Sequence, residues 1–182
     1  MGLILCKGRP ENADGRLEKE TRLYDLLDSL NLEYERVDHA PAMTMEDCHD
    51  VDEVLGITMC KNLFLCNRQK TLFYLLLMPE DKTFLTKELS SQIGSARLSF
   101  AKAEFMEEFL GITPGAVSVM GLMNDTDNRV KLLVDEDLLN DEFLGCHPCV
   151  NTSSLKLRTK DVFGPFLAAV HHDMTTVHLE GE

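Results

Sequence analysis

The chain has 182 residues, of which 44% are hydrophobic and 27% are charged, as in an ordinary globular protein with one hydrophobic core. Its formal net charge of −13 argues against broad binding of nucleic acid, because proteins that bind along a phosphate backbone carry a basic face. We therefore expect no DNA partner. No apolar run approaches the roughly 18 residues of a membrane-spanning helix. The start of the chain lacks the basic and apolar segments of a secretory signal. We therefore expect a cytoplasmic protein with no membrane partner, whose six cysteines are reduced thiols.

The first fifteen residues contain glycine and proline but no apolar periodicity, which predicts an N-terminal arm over 1–15 and a folded domain over 16–182. The part of the chain that follows shows first helical and then strand-like spacing of apolar residues. In chain order these patterns predict a helix over 16–30, a strand over 33–37, and an acidic helix over 44–54 with Thr44 as its N-cap.

Two apolar runs over 62–66 and 71–78, separated by a polar tetrad, predict a hairpin of two buried strands. This antiparallel pair excludes a purely parallel sheet, so we expect one α/β domain with a mixed β-sheet and surrounding helices. The remaining elements are predicted as helices over 86–93 and 101–110, a weakly strand-like segment over 116–123, strands over 129–135 and 154–158, a helix over 159–170 bent at Gly164-Pro165, and an edge strand over 175–179.

The segment Cys146-His147-Pro148-Cys149 raises the question of redox or zinc chemistry. A redox pair of this spacing follows an early strand at a helix N-terminus, and structural zinc usually needs a second pair of ligands, which the chain lacks. We therefore favour small buried thiols, as also for Cys60 and Cys66, and expect no metal and no cofactor.

Two other features point to a reactive cleft. His147 lies in a turn bounded by glycine and proline, with Asn151 four residues later. Lys61-Asn62 opens the first buried hairpin strand, where a lysine is costly unless its ammonium group points into a polar cleft. Such a lysine can hold a phosphate or stabilise an oxyanion. The chain has no serine elbow or phosphate-binding glycine loop, and its acidic stretches read as solvated surface.

Three separated segments together resemble one known family, the YbaK/prolyl-tRNA-synthetase-associated editing family. The resemblance is closest to its free-standing branch, the Ala-tRNA(Pro) deacylases of the PrdX or ProX type, and extends over about 23–169. It rests on the Lys-Asn pair in 61–65, the glycine-rich loop in 111–122, and the Gly-x-His-Pro turn in 145–152.

The resemblance implies a single α/β domain around a twisted mixed sheet, with a pocket for the aminoacylated end of tRNA and with prolyl-tRNA synthetase as a further partner. It implies catalytic roles for Lys61, Asn62 and His147. Val119 stands where the family usually has proline, and Met120 where an aromatic is common, so the loop departs from the family pattern. The residues assigned to substrate binding are Gly115, Ala116, Val117, Ser118, Val119, Gly145 and Asn151.

The resulting hypothesis is hydrolysis of the ester in Ala-tRNA(Pro) by positioning and oxyanion stabilisation, without a covalent nucleophile. In it, Lys61 engages the terminal phosphate or the polar end of the substrate, while Asn62 and His147 orient the amine and a water. Two alternatives stay open: a deacylase for another mischarged tRNA, such as Cys-tRNA(Pro) or Ser-tRNA, and a non-catalytic tRNA- or synthetase-binding module. The cations that could form a basic rim beside the pocket, or be scattered over the surface, are Lys61, Arg68, Lys70, Lys82, Lys87, Arg97, Lys102, Lys156 and Arg158.

Overall fold

Two β-sheets form the centre of the protein in the computed structural model, which describes residues 2–41 and 45–181. The first sheet has the order β1-β2-β8-β7 and is antiparallel throughout. Its strands are β1 (Leu5–Lys7), β2 (Tyr34–Asp38), β7 (Phe143–Cys146) and β8 (Ser153–Arg158).

The second sheet has the order β5-β3-β4-β6-β9 and is mixed. β3 and β4 form the predicted antiparallel hairpin, whereas β6 pairs in parallel with both β4 and β9. β4 lies near the middle of this sheet, and all its residues are buried, as expected for a strand covered on both faces. The strands are β3 (Lys61–Cys66), β4 (Phe73–Met78), β5 (Ser99–Phe100), β6 (Val130–Asp135) and β9 (Met174–Val177).

Six α-helices and two 3₁₀ segments complete the described chain. The last helix is interrupted by a π-turn over 162–166 that contains Pro165, because proline removes a backbone donor and cannot continue a regular α-helix. No helix in the described ranges is both long and apolar enough to cross a membrane. The α-helices are α1 (Glu18–Ser29), α2 (Met45–Leu55), α3 (Thr86–Ile93), α4 (Ala103–Leu110), α5 (Thr159–Asp161) and α6 (Leu167–Ala169).

The main core is formed by residues of both sheets and of helices α1 and α4. Leu23 and Leu27 are fully buried on the predicted face of α1. Phe109 of α4 meets Phe73 of β4 edge to face, with ring centroids 4.8 Å apart, a favoured geometry for aromatic pairs. Gly111 ends α4 with φ +65, as its position after the apolar stripe predicted.

A buried ion pair ties the core to the C-terminal part of the chain. Nε2 of His172 lies 2.9 Å from Oδ2 of Asp125, and both side chains are 2% exposed. The same carboxylate accepts hydrogen bonds from the backbone N–H groups of Arg129 and Val130, at 2.9 and 2.8 Å. Asp125 therefore joins the start of β6 to the segment that precedes β9.

The α/β class, the mixed sheet and the hairpin are confirmed, but the strands divide between two sheets. Within the predicted N-terminal arm, Leu5–Lys7 form a strand that pairs with β2 at the edge of the antiparallel sheet. The domain boundary at residue 16 stays a prediction. The prediction of a strand-like segment over 116–123 is wrong, because Ser118 caps a 3₁₀ helix over Val119–Asn124. The predicted cap Thr44 lies outside the described residues.

Candidate active site

A cleft of about 380 Å³ lies where the two sheets approach each other, within the size range of small-molecule sites. The mixed sheet contributes Lys61 and Asn62 from the start of β3. The antiparallel sheet contributes His147 from the turn after β7, with Asn151 from the same turn. Lys61 and His147, which are 86 positions apart in sequence, thus line one cavity.

Lys61 and Asn62 are both half-buried and are held by backbone carbonyls. Nζ of Lys61 donates to the carbonyl of Lys82, in the loop after β4, and an ammonium group has two further N–H donors. Nδ2 of Asn62 donates to the Cys60 carbonyl at 3.1 Å. The lysine therefore keeps donors for a ligand, and the Asn62 amide has its NH₂ group turned to the protein.

His147 is held as a neutral imidazole with a known tautomer. Its Nδ1 lies 3.0 Å from the carbonyl oxygen of Ser153; because a carbonyl only accepts, Nδ1 carries the proton and Nε2 is left as an acceptor. Burial lowers the pKa of His147 below its usual value, and nearby His39 lowers it further, although the bond to Ser153 opposes the shift. Neutral His147 can therefore take a proton at Nε2.

A second histidine, His39, lines the same cleft and was missed by the sequence analysis. Its Nε2 accepts from the hydroxyl of Ser154 at 2.9 Å, and its Nδ1 donates to the Ala40 carbonyl at 2.8 Å. The ring centroids of His39 and His147 are 6.4 Å apart. Its position at the end of a short strand carries no local signal, since β2 reaches the cleft only by pairing with β8.

A charged network behind the cleft supports His147. Ser153, whose carbonyl holds His147, donates its own hydroxyl to Asp38 at 2.6 Å. Asp38 also accepts from Arg16 at 2.8 Å and from Arg36. Burial would raise the pKa of Asp38, but the hydrogen bonds from these three residues prevail and lower it. The network therefore stays charged near neutral pH and fixes the β8 backbone beside the imidazole.

The predicted substrate-binding loop is only partly in the cleft. Gly115 and Val117 line it, and Gly115 has φ +94, a conformation that favours glycine. Ala116 and Val119 are 1% and 0% exposed, within the core. The hydroxyl of Ser118 accepts from the N–H of Met120 at 3.1 Å. The side chains of Ala116, Ser118 and Val119 are therefore used for core packing and helix capping. Substrate binding by this loop, which the resemblance implies through its backbone N–H groups, stays a prediction.

Gly145 serves the cleft through packing rather than by lining it. A Cβ atom at this position would overlap with the side-chain ends of Ile57 and Met59. Met59 itself lines the cleft. The missing side chain in β7 thus lets the segment before β3 lie directly on the antiparallel sheet, which brings Met59 and Lys61 to the cavity.

The cysteines of the C-x-x-C segment are buried thiols, as predicted. Cys146 and Cys149 are 1% and 0% exposed. Burial raises the pKa of Cys149 to about 12 and raises the pKa of Cys146 as well. A reactive thiolate requires a lowered pKa, so this pair does not have the electrostatics of a redox centre.

Of the two alternatives for the nine candidate cations, a basic rim or a scatter over the surface, the structure shows the scatter. Of these nine cations, all within the described ranges, only Lys61 lines the cavity. Lys82 is paired with Asp135 and Asp137 at 2.9 and 2.7 Å, and Lys156 lies over the Phe143 ring. The wall formed by α2 and the loop after β4 is acidic instead, with Asp52 and Glu80. Asp52 belongs to an acidic stretch that was predicted to be solvated surface.

Comparison with known proteins agrees with this arrangement. Residues 39–163 match the family model described as the aminoacyl-tRNA editing domain. The chain is 32% identical over 136 residues to the prolyl-tRNA editing protein ProX of Acetoanaerobium sticklandii, covering 75% of this chain and 83% of that protein. It is 28% identical over 158 residues to prolyl-tRNA synthetase associated domain-containing protein 1 of Danio rerio, covering 86% and 84%.

The fold is also found among solved structures. The chain superposes with a TM-score of 0.65 on a solved structure described as a candidate trans-editing enzyme for prolyl tRNA synthetase. The superposition covers 90% of this chain and 98% of the chain in that structure. At 16% identity this likeness bears on the fold alone. The family match covers strands of both sheets and includes Lys61, Asn62 and His147. The chain therefore belongs to the aminoacyl-tRNA editing domain family.

Proposed function

We propose that the protein is a cytoplasmic trans-editing deacylase that hydrolyses the ester bond of mischarged tRNA(Pro), with Ala-tRNA(Pro) as its substrate. One observation carries the proposal: Lys61, Asn62 and His147, from two different sheets, line one cleft with free donors and a free acceptor. The names of the ProX and Danio rerio relatives support proline-specific tRNA as the substrate class and prolyl-tRNA synthetase as a partner.

The cleft supplies each group that ester hydrolysis needs. Neutral His147 accepts a proton at Nε2 from a water whose oxygen attacks the ester carbonyl carbon. The Lys61 ammonium stabilises the negative charge on the carbonyl oxygen or binds the terminal phosphate. Collapse of the tetrahedral intermediate breaks the bond to the ribose oxygen, which takes the proton from His147. The products are the free amino acid and intact tRNA.

Size provides the discrimination against proline in this proposal. Val51, Met59 and Val117 are apolar residues on the cleft walls. A methylene that such a pocket cannot accommodate changes the transition-state energy by about 1–3 kcal/mol. Alanine enters the pocket, and the larger ring of a correctly attached proline is excluded.

A deacylation panel tests the proposed function directly. We expect the enzyme to release alanine from Ala-tRNA(Pro) fastest, to act more slowly on Cys- and Ser-tRNA(Pro), and to leave Pro-tRNA(Pro) intact. Release of labelled amino acid under single-turnover conditions is the measurement. Tight binding of these tRNAs without release of amino acid would replace the enzyme with a binding module, and a faster reaction with Cys- or Ser-tRNA would change the assigned substrate.

The pH dependence of deacylation reports on His147. Because burial lowers its pKa below the ordinary value of about 6.5, we expect kcat/KM, corrected for uncatalysed hydrolysis, to rise with pH to a plateau, with a midpoint below pH 6.5. His147→Ala should remove this rise and lower the plateau by about 10²–10⁴-fold. His178→Gln, at an exposed histidine, should keep the profile; a midpoint above pH 6.5 would contradict a buried neutral base.

A further inference from the structure

Two buried hydrogen-bond acceptors in the cleft have no donor. Among the described residues, four buried side-chain polar atoms lack a hydrogen-bond partner. Two of them are hydroxyl groups outside the cleft, at Ser90 and Thr159, and the other two are Oδ1 of Asp52 and Oδ1 of Asn62. Both Asp52 and Asn62 line the cleft. Buried acceptors without a partner are costly, so their concentration at one cavity indicates a ligand that donates hydrogen bonds.

The orientation of each group is set by the protein. Nδ2 of Asn62 donates to the Cys60 carbonyl at 3.1 Å, which leaves Oδ1 as the unused end of the amide. Oδ2 of Asp52 accepts from the N–H of Met59 at 3.2 Å, which leaves Oδ1 of the carboxylate unused. The backbone contacts therefore account for one end of each side chain only.

The negative charge at this wall favours a cation. Burial raises the pKa of Asp52; Glu80 reinforces the shift, whereas the Met59 N–H bond and the nearby His49 oppose it. Glu80 lines the same cleft, and neither carboxylate takes part in an ion pair with a described lysine, arginine or histidine within 4.0 Å. Lys61 directs Nζ to the Lys82 carbonyl. A small cation with several N–H donors supplies what both free oxygens lack, hydrogen-bond donors and positive charge.

The aminoacyl ester of the proposed function carries such a group. We propose that Asp52 binds the α-ammonium group of the aminoacyl moiety together with Oδ1 of Asn62, with Glu80 adding negative charge. Asp52 is thereby a specificity-determining residue: the enzyme acts on esters with a free amine and rejects aminoacyl groups whose amine is acylated. This inference rests on the proposed deacylase function and names the part of the substrate that the acidic wall recognises.

The test compares Ala-tRNA(Pro) with N-acetyl-Ala-tRNA(Pro), each rate being divided by the uncatalysed hydrolysis of the same ester. For the wild type we expect about 10- to 100-fold faster catalysis with the free amine, the range of a charge-assisted hydrogen bond. Asp52→Asn keeps an oxygen for the Met59 N–H but removes the charge. It should slow Ala-tRNA(Pro) by a similar factor and leave the N-acetyl substrate nearly unchanged, so that the preference disappears.

A matched control is available on the same helix. Asp50→Asn changes an exposed carboxylate of α2 that does not line the cleft, and it should keep the wild-type preference. Equal slowing of both substrates by Asp52→Asn, or an unchanged preference in that variant, would overturn the role of Asp52. If the wild type fails to deacylate Ala-tRNA(Pro) at all, the proposed function itself is wrong. If the wild type deacylates both substrates equally, the proposed function stands and the role of Asp52 in amine recognition is wrong.

Discussion

Replacing Lys61 by alanine is expected to lower kcat/KM for Ala-tRNA(Pro) by about 10²–10³-fold, the usual loss when one oxyanion donor is removed. Lys61 is the only cation of the predicted rim that lines the cleft, and its ammonium group is anchored by the Lys82 carbonyl. Single-turnover deacylation measures the loss. A fall in the rate at saturating enzyme indicates contact with the reacting carbonyl, whereas a rise in KM alone indicates contact with the terminal phosphate.

Two further variants separate charge from packing. Lys61→Met keeps the aliphatic stem in the half-buried position and should be impaired as strongly as Lys61→Ala. Lys87→Ala removes an exposed lysine of α3 away from the cleft and should retain full activity. Wild-type activity in both Lys61 variants would disprove the role given to this lysine, and thermal melting curves would show whether either variant is misfolded.

The second large effect is on stability, at the buried pair of Asp125 and His172. Asp125→Ala is expected to lower the free energy of unfolding by about 3–5 kcal/mol, because it leaves a buried histidine without its partner. It also removes the acceptor for the backbone N–H groups of Arg129 and Val130. Urea denaturation measures the change. Asp127→Ala, an exposed carboxylate in the same turn, should stay within about 0.5 kcal/mol of the wild type.

The same pair predicts how stability depends on pH. Burial would lower the pKa of His172, but the bond to Asp125 outweighs it and raises this pKa. The stability that His172 contributes is therefore fully present below its unfolded-state pKa of about 6.5, and it is lost as the pH rises through the folded-state pKa. The hydrogen bonds that Asp125 accepts lower the pKa of its carboxyl group. The stability that Asp125 contributes is therefore lost only as the pH falls through this lowered pKa. The stability gap between wild type and His172→Gln should therefore narrow between pH 6 and pH 9; a constant gap would contradict an ionic pair.

Elements with a strong local pattern were predicted within two or three residues. The apolar stripe of α1, the hairpin of β3 and β4, and the glycine that ends α4 each follow from the spacing of neighbouring residues. The strand predicted over 116–123 was wrong because a buried cap at Ser118 and a tight approach at Gly121 favour a 3₁₀ helix. The strand at Leu5–Lys7 was missed because three residues are too short to show alternation.

The cleft was predicted in part for the same reason. Lys61, Asn62 and His147 stand in motifs whose residue types already limit the chemistry, and the structure places all three at one cavity. His39, Ser154 and Asp52 gave no such signal. Gly145 was assigned to the substrate, whereas the space it leaves is filled by Ile57 and Met59.

The acidic balance and the Lys-Asn and Gly-x-His-Pro motifs were determined by the sequence alone, because composition and local spacing do not depend on which strands are neighbours. The tertiary structure decided which residues accompany them. β2 pairs with β8 across more than 100 residues and so brings His39 to Ser154, and α2 turns Asp52 toward the same cavity. Periodicity encodes the buried face of a strand but not its partner, so the second histidine and the proposed ammonium site became visible only in the folded chain.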